Sequence, residues 1–285
     1  MTNTVQQILQ SAKQQLDTSS DSSSADAEIL LCHVLECDRA YLYTWPEKKP
    51  GQNQLDRFQA LLQRRLQGEP VAYLIGQRSF WDFKLSVSSA TLIPRPETEL
   101  LVEQALIHIP ENSHGRVLDL GTGTGAIALA IAHERPACQV IAVERSESAR
   151  LMAEKNISQY SQGNVQLQAG DWFSALEQQT FDVIVSNPPY IAEQDPHLQQ
   201  GDVCHEPRTA LSAGIDGLDD IRHIIAQAGS YLGPNGWLLI EHGYDQAEAV
   251  KHLFLKHGFT EVSHANDLSG HPRISSGCYK KQHQG

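Results

Sequence analysis

The chain has 285 residues, enough for two domains with separate cores, and a formal net charge of −12. Residues 86–285 carry 13 Lys and Arg against 24 Asp and Glu, an acidic balance that repels a nucleic-acid backbone and favours a protein substrate. No stretch approaches the ~20 consecutive apolar residues of a membrane span, and the first residues lack the basic and apolar regions of a signal peptide.

The cysteines and histidines argue against a disulfide framework and a metal centre. The five cysteines are odd in number and scattered, without a Cys-x-x-Cys pair. This usage predicts reduced thiols in a cytoplasmic protein. The thirteen histidines include no His-x-x-x-His pair with an acid between its members, so we expect no metal site.

Residues 1–75 are predicted to form a small helical bundle. Apolar residues recur at helical spacing in the first helix, Ser22 to Ser24 offer an N-cap to the second, and Gly68 and Pro70 end the third. The expected helices cover residues 5–16, 25–36 and 54–66. The arginines of the third helix are interpreted as a solvated face rather than a binding patch. They are Arg57, Arg64 and Arg65.

Residues 76–93 change character, because Phe80 to Val87 alternate in the manner of a strand. We interpret them as a β-hairpin that links the bundle to a second domain over residues 94–285. Pro96 and Glu97 suit the first turn of a helix that reaches about Ile109. Arg95 and Glu97 are interpreted as helix-capping residues that form an interdomain ion pair.

From residue 115 onward strands and helices alternate, which predicts a mostly parallel sheet covered by helices on both faces. The strands are expected near residues 116–120, 139–143, 164–168, 181–186, 236–241, 258–264 and 274–281. The helices are expected near residues 124–134, 146–159, 217–232 and 245–257. Residues 191–215 have little periodicity, and a loop of this length predicts a substrate-facing lid with Gly214 and Gly217 as hinges.

A glycine-rich turn follows the first strand of this sheet. Gly121-Thr122-Gly123-Thr124-Gly125 lies between that strand and a helix start, where glycines allow the backbone to approach a ligand and the helix N-terminus presents free N–H groups. Glu144 ends the next strand about 20 residues farther on, the spacing expected of an acid that binds ribose hydroxyls. Together these features predict a nucleotide-like ligand.

A second motif, Asn187-Pro188-Pro189-Tyr190, ends the buried strand over residues 181–186. Proline has no N–H, so this corner is rich in acceptors. The side-chain oxygen of Asn187 and the carbonyl of Pro188 could both accept hydrogen bonds from one planar NH2 group, and Tyr190 offers a ring for that group to lie against. By itself the tetrapeptide is an ordinary turn, but its position beside the glycine loop favours a slot for an amide or an exocyclic amine.

These motifs resemble those of class I S-adenosylmethionine-dependent methyltransferases that methylate planar nitrogens. Across essentially its whole length the chain is similar to the peptide chain release factor N(5)-glutamine methyltransferase family. The matching segments are Asp119 to Gly125, Glu144, Asn187 to Ile191, Leu92 to Glu99 and Glu206 to Leu211. The resemblance implies a Rossmann-like, seven-stranded α/β sheet with a small N-terminal helical domain that helps to hold the substrate.

The resemblance also implies the reaction, the cofactor and the partner. The methyl group of S-adenosyl-L-methionine passes to the glutamine side chain of the Gly-Gly-Gln motif in class 1 peptide chain release factors, which leaves S-adenosyl-L-homocysteine. The glycine loop is then expected beside the methionine moiety, Glu144 at the ribose, and Asp171 and Trp172 around the adenine. Asn187 to Tyr190 are expected at the substrate amide, with Asn187 also touching the cofactor. We expect a cytoplasmic monomer.

Four other functions are compatible with part of this pattern. An N6-adenine DNA methyltransferase would use the same slot for a flipped base, but the acidic charge opposes it. A ribosomal-protein glutamine methyltransferase would share both slot and cofactor. A nicotinamide-dependent dehydrogenase would fit the glycine fingerprint and Glu144, yet it leaves Asn187 to Tyr190 unexplained and no Tyr-x-x-x-Lys pair is present. A pure binding module would leave all three motifs without a purpose.

Overall fold

The structure is a computed structural model of the chain, and it describes residues 3–18, 20, 22–177 and 179–280. The chain divides into two compact units. The first comprises the residues up to Gln77 together with Gln199–His205, and the second comprises Arg78–Leu198 and the chain from Glu206. Within the described residues, no helix is both long and apolar enough to cross a bilayer.

The first unit is helical, as predicted. Its α-helices are α1 (Val5–Leu16), α2 (Ser23–Leu35), α3 (Arg39–Thr44), α4 (Gln52–Leu66) and α5 (Val71–Ile75). The apolar residues of α1, α2 and α4 pack into one core, which includes Leu16, Leu30, Leu31 and Phe58. A capping box between Thr4 and Gln7 begins α1. The short helices α3 and α5 were not predicted, because six and five residues are too few for a helical period to stand out.

Arg65 corrects one prediction in this unit. Its side chain is 9% exposed instead of lying on a solvated face. Nε donates to Asp26 at 2.8 Å, and Nη1 donates to Asp202 at 2.7 Å. Asp202 belongs to the segment Gln199–His205, so this paired arginine attaches a distant stretch of chain to the helical unit.

The second unit contains the hairpin and the large sheet. The hairpin pairs β1 (Gln77–Phe80) with β2 (Phe83–Ser86). The sheet has seven strands in the order β5-β4-β3-β6-β7-β9-β8, which confirms the expected Rossmann-like class. Its strands are β3 (Arg116–Leu120), β4 (Gln139–Glu144), β5 (Val165–Ala169), β6 (Phe181–Ser186), β7 (Leu232–Glu241), β8 (Phe259–Asn266) and β9 (Pro272–Tyr279). β3 to β7 pair in parallel, and β9 is antiparallel to both neighbours.

Helices cover both faces of this sheet. They are α6 (Glu99–Ile107), α7 (Ala126–Glu134), α8 (Glu147–Tyr160), α9 (Asp219–Tyr231) and α10 (Ala247–Lys256). α6, α7 and α8 contribute to one apolar cluster, whereas α9 and α10 contribute to the other. Strands covered on both faces are apolar throughout, and in β6 every residue except Asp182 is buried.

The segment from Ile191 to Ser212 is not a featureless loop. It contains three 3₁₀ turns, at Pro196–Gln199, Gly201–His205 and Arg208–Ala210. A parallel bridge joins Ile191 to Ser212, and the N–H of Ala213 donates to the carbonyl of Ile191 at 3.1 Å. The segment therefore begins and ends at one place beside the end of β6. Its role as a lid stays a prediction.

Candidate active site

One cavity of about 330 Å³ lies at the carboxyl edge of the parallel strands. The loops after β3, β4, β5 and β6 all contribute to its wall, because parallel neighbours end at the same edge of a sheet. The volume is within the usual range for small-molecule sites. The glycine loop, Glu144, Trp172 and Asn187, which are far apart in the sequence, are therefore parts of one wall.

The glycine loop is held tightly against β4. The N–H groups of Gly121 and Thr122 both donate to the carbonyl of Val143, at 2.9 and 3.0 Å. Gly121 has φ of +71°, and a Cβ there would lie 3.2 Å from the ring of Trp172. A side chain at this position would be strained and crowded, so the turn depends on glycine. Its far end is Gly125, which precedes α7 without a side-chain cap.

Asp119 holds the glycine loop and the start of α7 through two hydrogen bonds. It is fully buried at the end of β3, where Oδ2 accepts from the Thr122 hydroxyl at 2.6 Å and from the Ala128 N–H at 3.2 Å. Oδ1 has no hydrogen-bond partner among the residues that the structure describes. Burial raises the pKa of this carboxyl to about 7, because removal from water disfavours the charged form.

Glu144 ends β4 with both carboxylate oxygens directed at backbone. Oε2 accepts from the N–H of Gly123 at 3.0 Å, and Oε1 accepts from the N–H of Ser146 at 2.8 Å. These two bonds orient the carboxylate while each oxygen keeps a lone pair for a ligand. Trp172, after β5, forms part of the same wall with φ of +48°.

Asn187 enters the cavity at the end of β6. Its Nδ2 donates to the hydroxyl oxygen of Thr98 at 3.1 Å, which leaves Oδ1 as the acceptor that the side chain can offer. Pro189 also lines the cavity. Of the predicted site residues, all within the described chain, Gly125, Pro188 and Tyr190 are not part of its lining.

Tyr190 packs into the apolar cluster under α9 and α10. Its hydroxyl donates to Oε1 of Glu241 at 3.3 Å, and burial raises the pKa of the phenol well above its ordinary value. Glu241 ends β7 and is 1% exposed. Burial raises the pKa of this carboxyl to about 7 as well.

The rim of the cavity is fixed by Glu206. Its buried carboxylate pairs with Arg95 and accepts from the N–H of Ile93 at 3.1 Å. Arg95 and Glu206 belong to the same unit, so the predicted interdomain ion pair of Arg95 is wrong. The ion pair instead ties residues 93–95 to the segment that follows His205. Residues from both stretches, including Leu92 and Pro207, line the cavity.

Comparison with known proteins decides the family. Residues 7–76 match the PrmC N-terminal domain, and residues 96–214 match the methyltransferase small domain. The release factor glutamine methyltransferase of Escherichia coli K12 is 50% identical over 274 residues, covering 96% of this chain and 98% of that protein. Its Vibrio cholerae counterpart is 48% identical over 286 residues, covering both chains completely.

The chain belongs to the release factor glutamine methyltransferase family.

A solved methyltransferase from Pyrococcus furiosus supports the fold of this release factor glutamine methyltransferase family member. It has a TM-score of 0.53 at 19% identity, with coverage of 81% of this chain and 100% of that one. A 16S rRNA methyltransferase from Thermus thermophilus, solved with AdoMet and guanosine, has a TM-score of 0.51 at 21% identity and covers 72% of this chain and 50% of its own. At such identities the likeness concerns the fold.

The contacts of three residues at or near the cavity were not predicted, although the sequence analysis placed two of them, Thr98 and Asp119, in family motifs; the third is Glu241. Asp119 and Glu241 had a usable signal, because they are the last but one and the last residue of predicted parallel strands, at the edge where ligands bind. Glu144 was found by that rule. Thr98 had no such signal, since a threonine at the start of a helix is first interpreted as a cap.

Proposed function

We propose that the chain transfers a methyl group from S-adenosyl-L-methionine to the side-chain amide nitrogen of the glutamine in the Gly-Gly-Gln motif of class 1 peptide chain release factors. The observation that carries this proposal is the position of Asn187. Asn187 belongs to the same cavity wall as the glycine loop and Glu144, and with Nδ2 bonded to Thr98 its Oδ1 is the acceptor that it would offer. A methyl donor and a planar NH2 group would therefore meet in one cavity.

The residues present fit S-adenosyl-L-methionine. Gly121 and Gly123 expose backbone to the cavity, Glu144 keeps lone pairs for ribose hydroxyls, and Trp172 offers an apolar wall for the adenine. Asp119 supports the loop from behind, with one carboxylate oxygen unpaired among the described residues. When bound, the cofactor supplies a methyl group on a positive sulfonium, and S-adenosyl-L-homocysteine remains after transfer.

The protein's task is to make a poor nucleophile reactive. An amide nitrogen shares its lone pair with its carbonyl, so orientation has to supply much of the rate. Asn187 Oδ1 would accept one N–H bond and, as the motif predicts, the Pro188 carbonyl would accept the other, although Pro188 is not part of the cavity lining; together they would direct the nitrogen lone pair toward the methyl group. Placement of this kind contributes ~7 to 11 kcal/mol to lowering a barrier.

The same two oxygens would stabilise the positive charge that develops on nitrogen, as preorganised dipoles do in other enzymes. Once the methyl group is attached, the nitrogen is acidic and releases a proton to solvent. Neither step requires a side chain that is ionised for the purpose. The contact between the Tyr190 ring and the substrate amide stays a prediction, because Tyr190 packs into the apolar cluster and is not part of the cavity lining.

Two features support a release factor as the partner: the net charge of the chain and its helical first unit. The chain carries a net charge of −12, which disfavours nucleic acid and suits a protein substrate. The first unit would help to hold the release factor, with residues 1–75 as the docking domain, residues 76–93 as the linker and residues 94–285 as the methyltransferase domain. A cytoplasmic monomer remains the expected state.

Mass spectrometry tests this function directly. The purified chain is incubated with methyl-labelled S-adenosyl-L-methionine and, in parallel reactions, with a class 1 release factor, with ribosomal proteins or with DNA, and each digested product is analysed. One methyl group on the glutamine of Gly-Gly-Gln is expected, and none on a release factor in which this glutamine is replaced by alanine. Labelling of ribosomal proteins or of adenine in DNA, with an unmodified release factor, would refute the proposal in favour of those rivals.

A further inference from the structure

The cavity wall includes one stretch of chain that the sheet does not hold. We call it the strap: residues 87–98, which join β2 to α6. Residues 87–95 of the strap belong to no helix or strand. A stretch without regular backbone pairing opens more easily than a strand, so its side-chain contacts decide how firmly it stays in place. The strap residues that line the cavity are Ser89, Ala90, Thr91, Leu92, Pro94 and Thr98.

Both ends of the strap are tied to loops of the candidate site. At the first end, the buried side chain of Asn156 in α8 joins Ser86, the residue before the strap, to the glycine loop. Its Nδ2 donates to the carbonyls of Ser86 at 3.0 Å and Thr124 at 2.9 Å, and its Oδ1 accepts from the N–H of Ser86 at 2.8 Å. At the other end, Thr98 accepts from Asn187 at 3.1 Å. The strap therefore runs from the glycine loop to the residue proposed to hold the substrate amide.

Glu206 holds the middle of the strap. Its side chain is 0% exposed, Oε2 accepts from the N–H of Ile93 at 3.1 Å, and Oε1 pairs with the guanidinium of Arg95, whose side chain is 30% exposed. Glu206 also precedes a second stretch that contributes to the cavity lining, at Pro207, Thr209 and Ala210. One carboxylate therefore joins two parts of the wall that lie more than a hundred residues apart in the chain.

The burial of Glu206 makes these contacts important for the position of the strap. Removing a carboxylate from water is costly unless a counter-charge and hydrogen bonds replace the lost hydration. The strap supplies the Arg95 charge and the Ile93 N–H only while it lies against Glu206. Movement of the strap away from the cavity separates the carboxylate from both groups. Glu206 therefore opposes opening of this part of the wall.

We propose that Glu206 and Arg95 are positioning residues that keep the strap closed over S-adenosyl-L-methionine and so slow its release. Neither side chain is part of the cavity lining, so both act through the strap rather than by contact with the cofactor. This inference rests on the proposed function, which assigns that cofactor to the cavity. Release of a ligand depends on movement of the wall that encloses it.

The decisive measurement is the rate of cofactor release in the absence of a release factor. S-adenosyl-L-methionine is mixed with the purified chain in a stopped-flow instrument, and binding is followed by tryptophan fluorescence, to which Trp172 in the cavity wall contributes. The observed rate is plotted against cofactor concentration. Its slope gives the association rate constant and its intercept the dissociation rate constant, while calorimetry gives an independent Kd.

Glu206→Gln and Arg95→Met are the test variants. Glutamine keeps the size of glutamate but loses its charge and can turn an NH2 group toward Arg95. We expect Glu206→Gln to raise the dissociation rate constant at least about tenfold and to leave the association rate constant within about threefold of wild type, because changes within one binding site act mostly on dissociation. Arg95→Met should act in the same direction, and it decides the matter if Glu206→Gln does not fold. Because the two residues form one pair, the double variant should release the cofactor about as fast as Glu206→Gln alone.

Asp267→Asn is the matched control. The Asp267 side chain is 8% exposed, pairs with Arg273 at 3.0 Å and accepts from the backbone N–H of His271 at 3.0 Å, but it is not part of the cavity lining. The control should lower Tm and leave cofactor release near wild type. A dissociation rate constant within about threefold of wild type in the folded test variants, or an equal rise in Asp267→Asn, would overturn the inference.

Methyl transfer separates this inference from the proposed function. In the test variants the KM for the cofactor should rise, while kcat at saturating cofactor stays within about threefold of wild type. If the proposed function fails, the wild-type enzyme leaves the glutamine unmethylated, whereas cofactor release is still measured without any release factor. If the inference alone fails, the wild-type enzyme methylates the glutamine and the variants release the cofactor at the wild-type rate.

Discussion

Replacing Asn187 by alanine tests the centre of the proposed mechanism. The change removes the acceptor Oδ1 from the cavity and the donor Nδ2 from Thr98. Loss of one preorganised hydrogen-bonding group that acts on the transition state costs about 2.7 to 4 kcal/mol, so kcat should fall about 10²- to 10³-fold. Cofactor Kd should stay within a few-fold, because Gly121, Gly123 and Glu144 keep their contacts.

The same substitution should cost some stability. Thr98 loses a donor while it is buried, a loss worth about 1 to 3 kcal/mol. Asn187 is only partly buried and lines the cavity, so water can replace the lost amide and we expect the lower end of that range. A loss of unfolding free energy at the lower end of this range leaves most of the enzyme folded, so it is far too small to account for the expected loss of turnover.

Single-turnover methyl transfer to a release factor, with calorimetric titration of the cofactor, separates these effects. Asn164→Ala is the matched control, because Asn164 is a buried amide that donates to the carbonyl of Ala132 at 3.0 Å and does not line the cavity. It should lower Tm and leave turnover near wild type. Turnover within about threefold of wild type in folded Asn187→Ala would remove this residue from the mechanism.

Three further predictions follow from single contacts. Gly217→Ala should destabilise the protein by more than about 2 kcal/mol in urea unfolding, because φ is +73° and the new Cβ would lie 2.2 Å from the Tyr190 carbonyl oxygen. Gly163→Ala has φ of +93° with open space, so a loss as large there would contradict the argument from crowding. Glu144→Gln should raise cofactor Kd about 10- to 100-fold in calorimetry, since hydrogen bonds to a charged group are worth about 1.5 to 3 kcal/mol, and an unchanged Kd would exclude the ribose contact. For Asp119→Asn the readout is unfolding at several pH values. In the folded protein the Asp119 carboxyl keeps its proton up to a pKa of about 7, whereas in the unfolded chain it ionises near pH ~3.9. The free energy of unfolding of the wild type therefore falls as pH rises between these two values. Asparagine does not titrate, so the variant should lose part of this pH dependence. An identical slope in the variant would show that Asp119 does not titrate in this range.

The sequence by itself determined the elements and their order. β3 and β6 have the predicted bounds, and most other sheet strands and helices lie close to theirs, because alternation and apolar runs are local properties of the chain. β7 was the main exception. It begins at Leu232, before Gly233, Pro234 and Asn235, since Leu232 pairs with Phe181 of the neighbouring strand. The strand was predicted to begin at residue 236, because Gly233, Pro234 and Asn235 are typical turn residues.

The sequence also determined the chemistry of the cavity wall. The glycine turn, Glu144 and Asn187 could be found because each follows a strand at a spacing that physical rules connect to a ligand. Their meeting in one cavity follows from parallel strands that end at one edge of the sheet.

Only the tertiary structure decided what lies behind that wall. Asn187 could be found from the sequence, but its hydrogen-bond partner Thr98 lies 89 residues earlier in the chain, and no local pattern connects the two. The parallel register that sets Ser186 opposite Ile240 brings the ends of β6 and β7 side by side, and Asn187, just after β6, donates to Thr98 at the start of α6. Contacts between residues so far apart in the chain are fixed by strand pairing and helix packing rather than by any local pattern in the sequence.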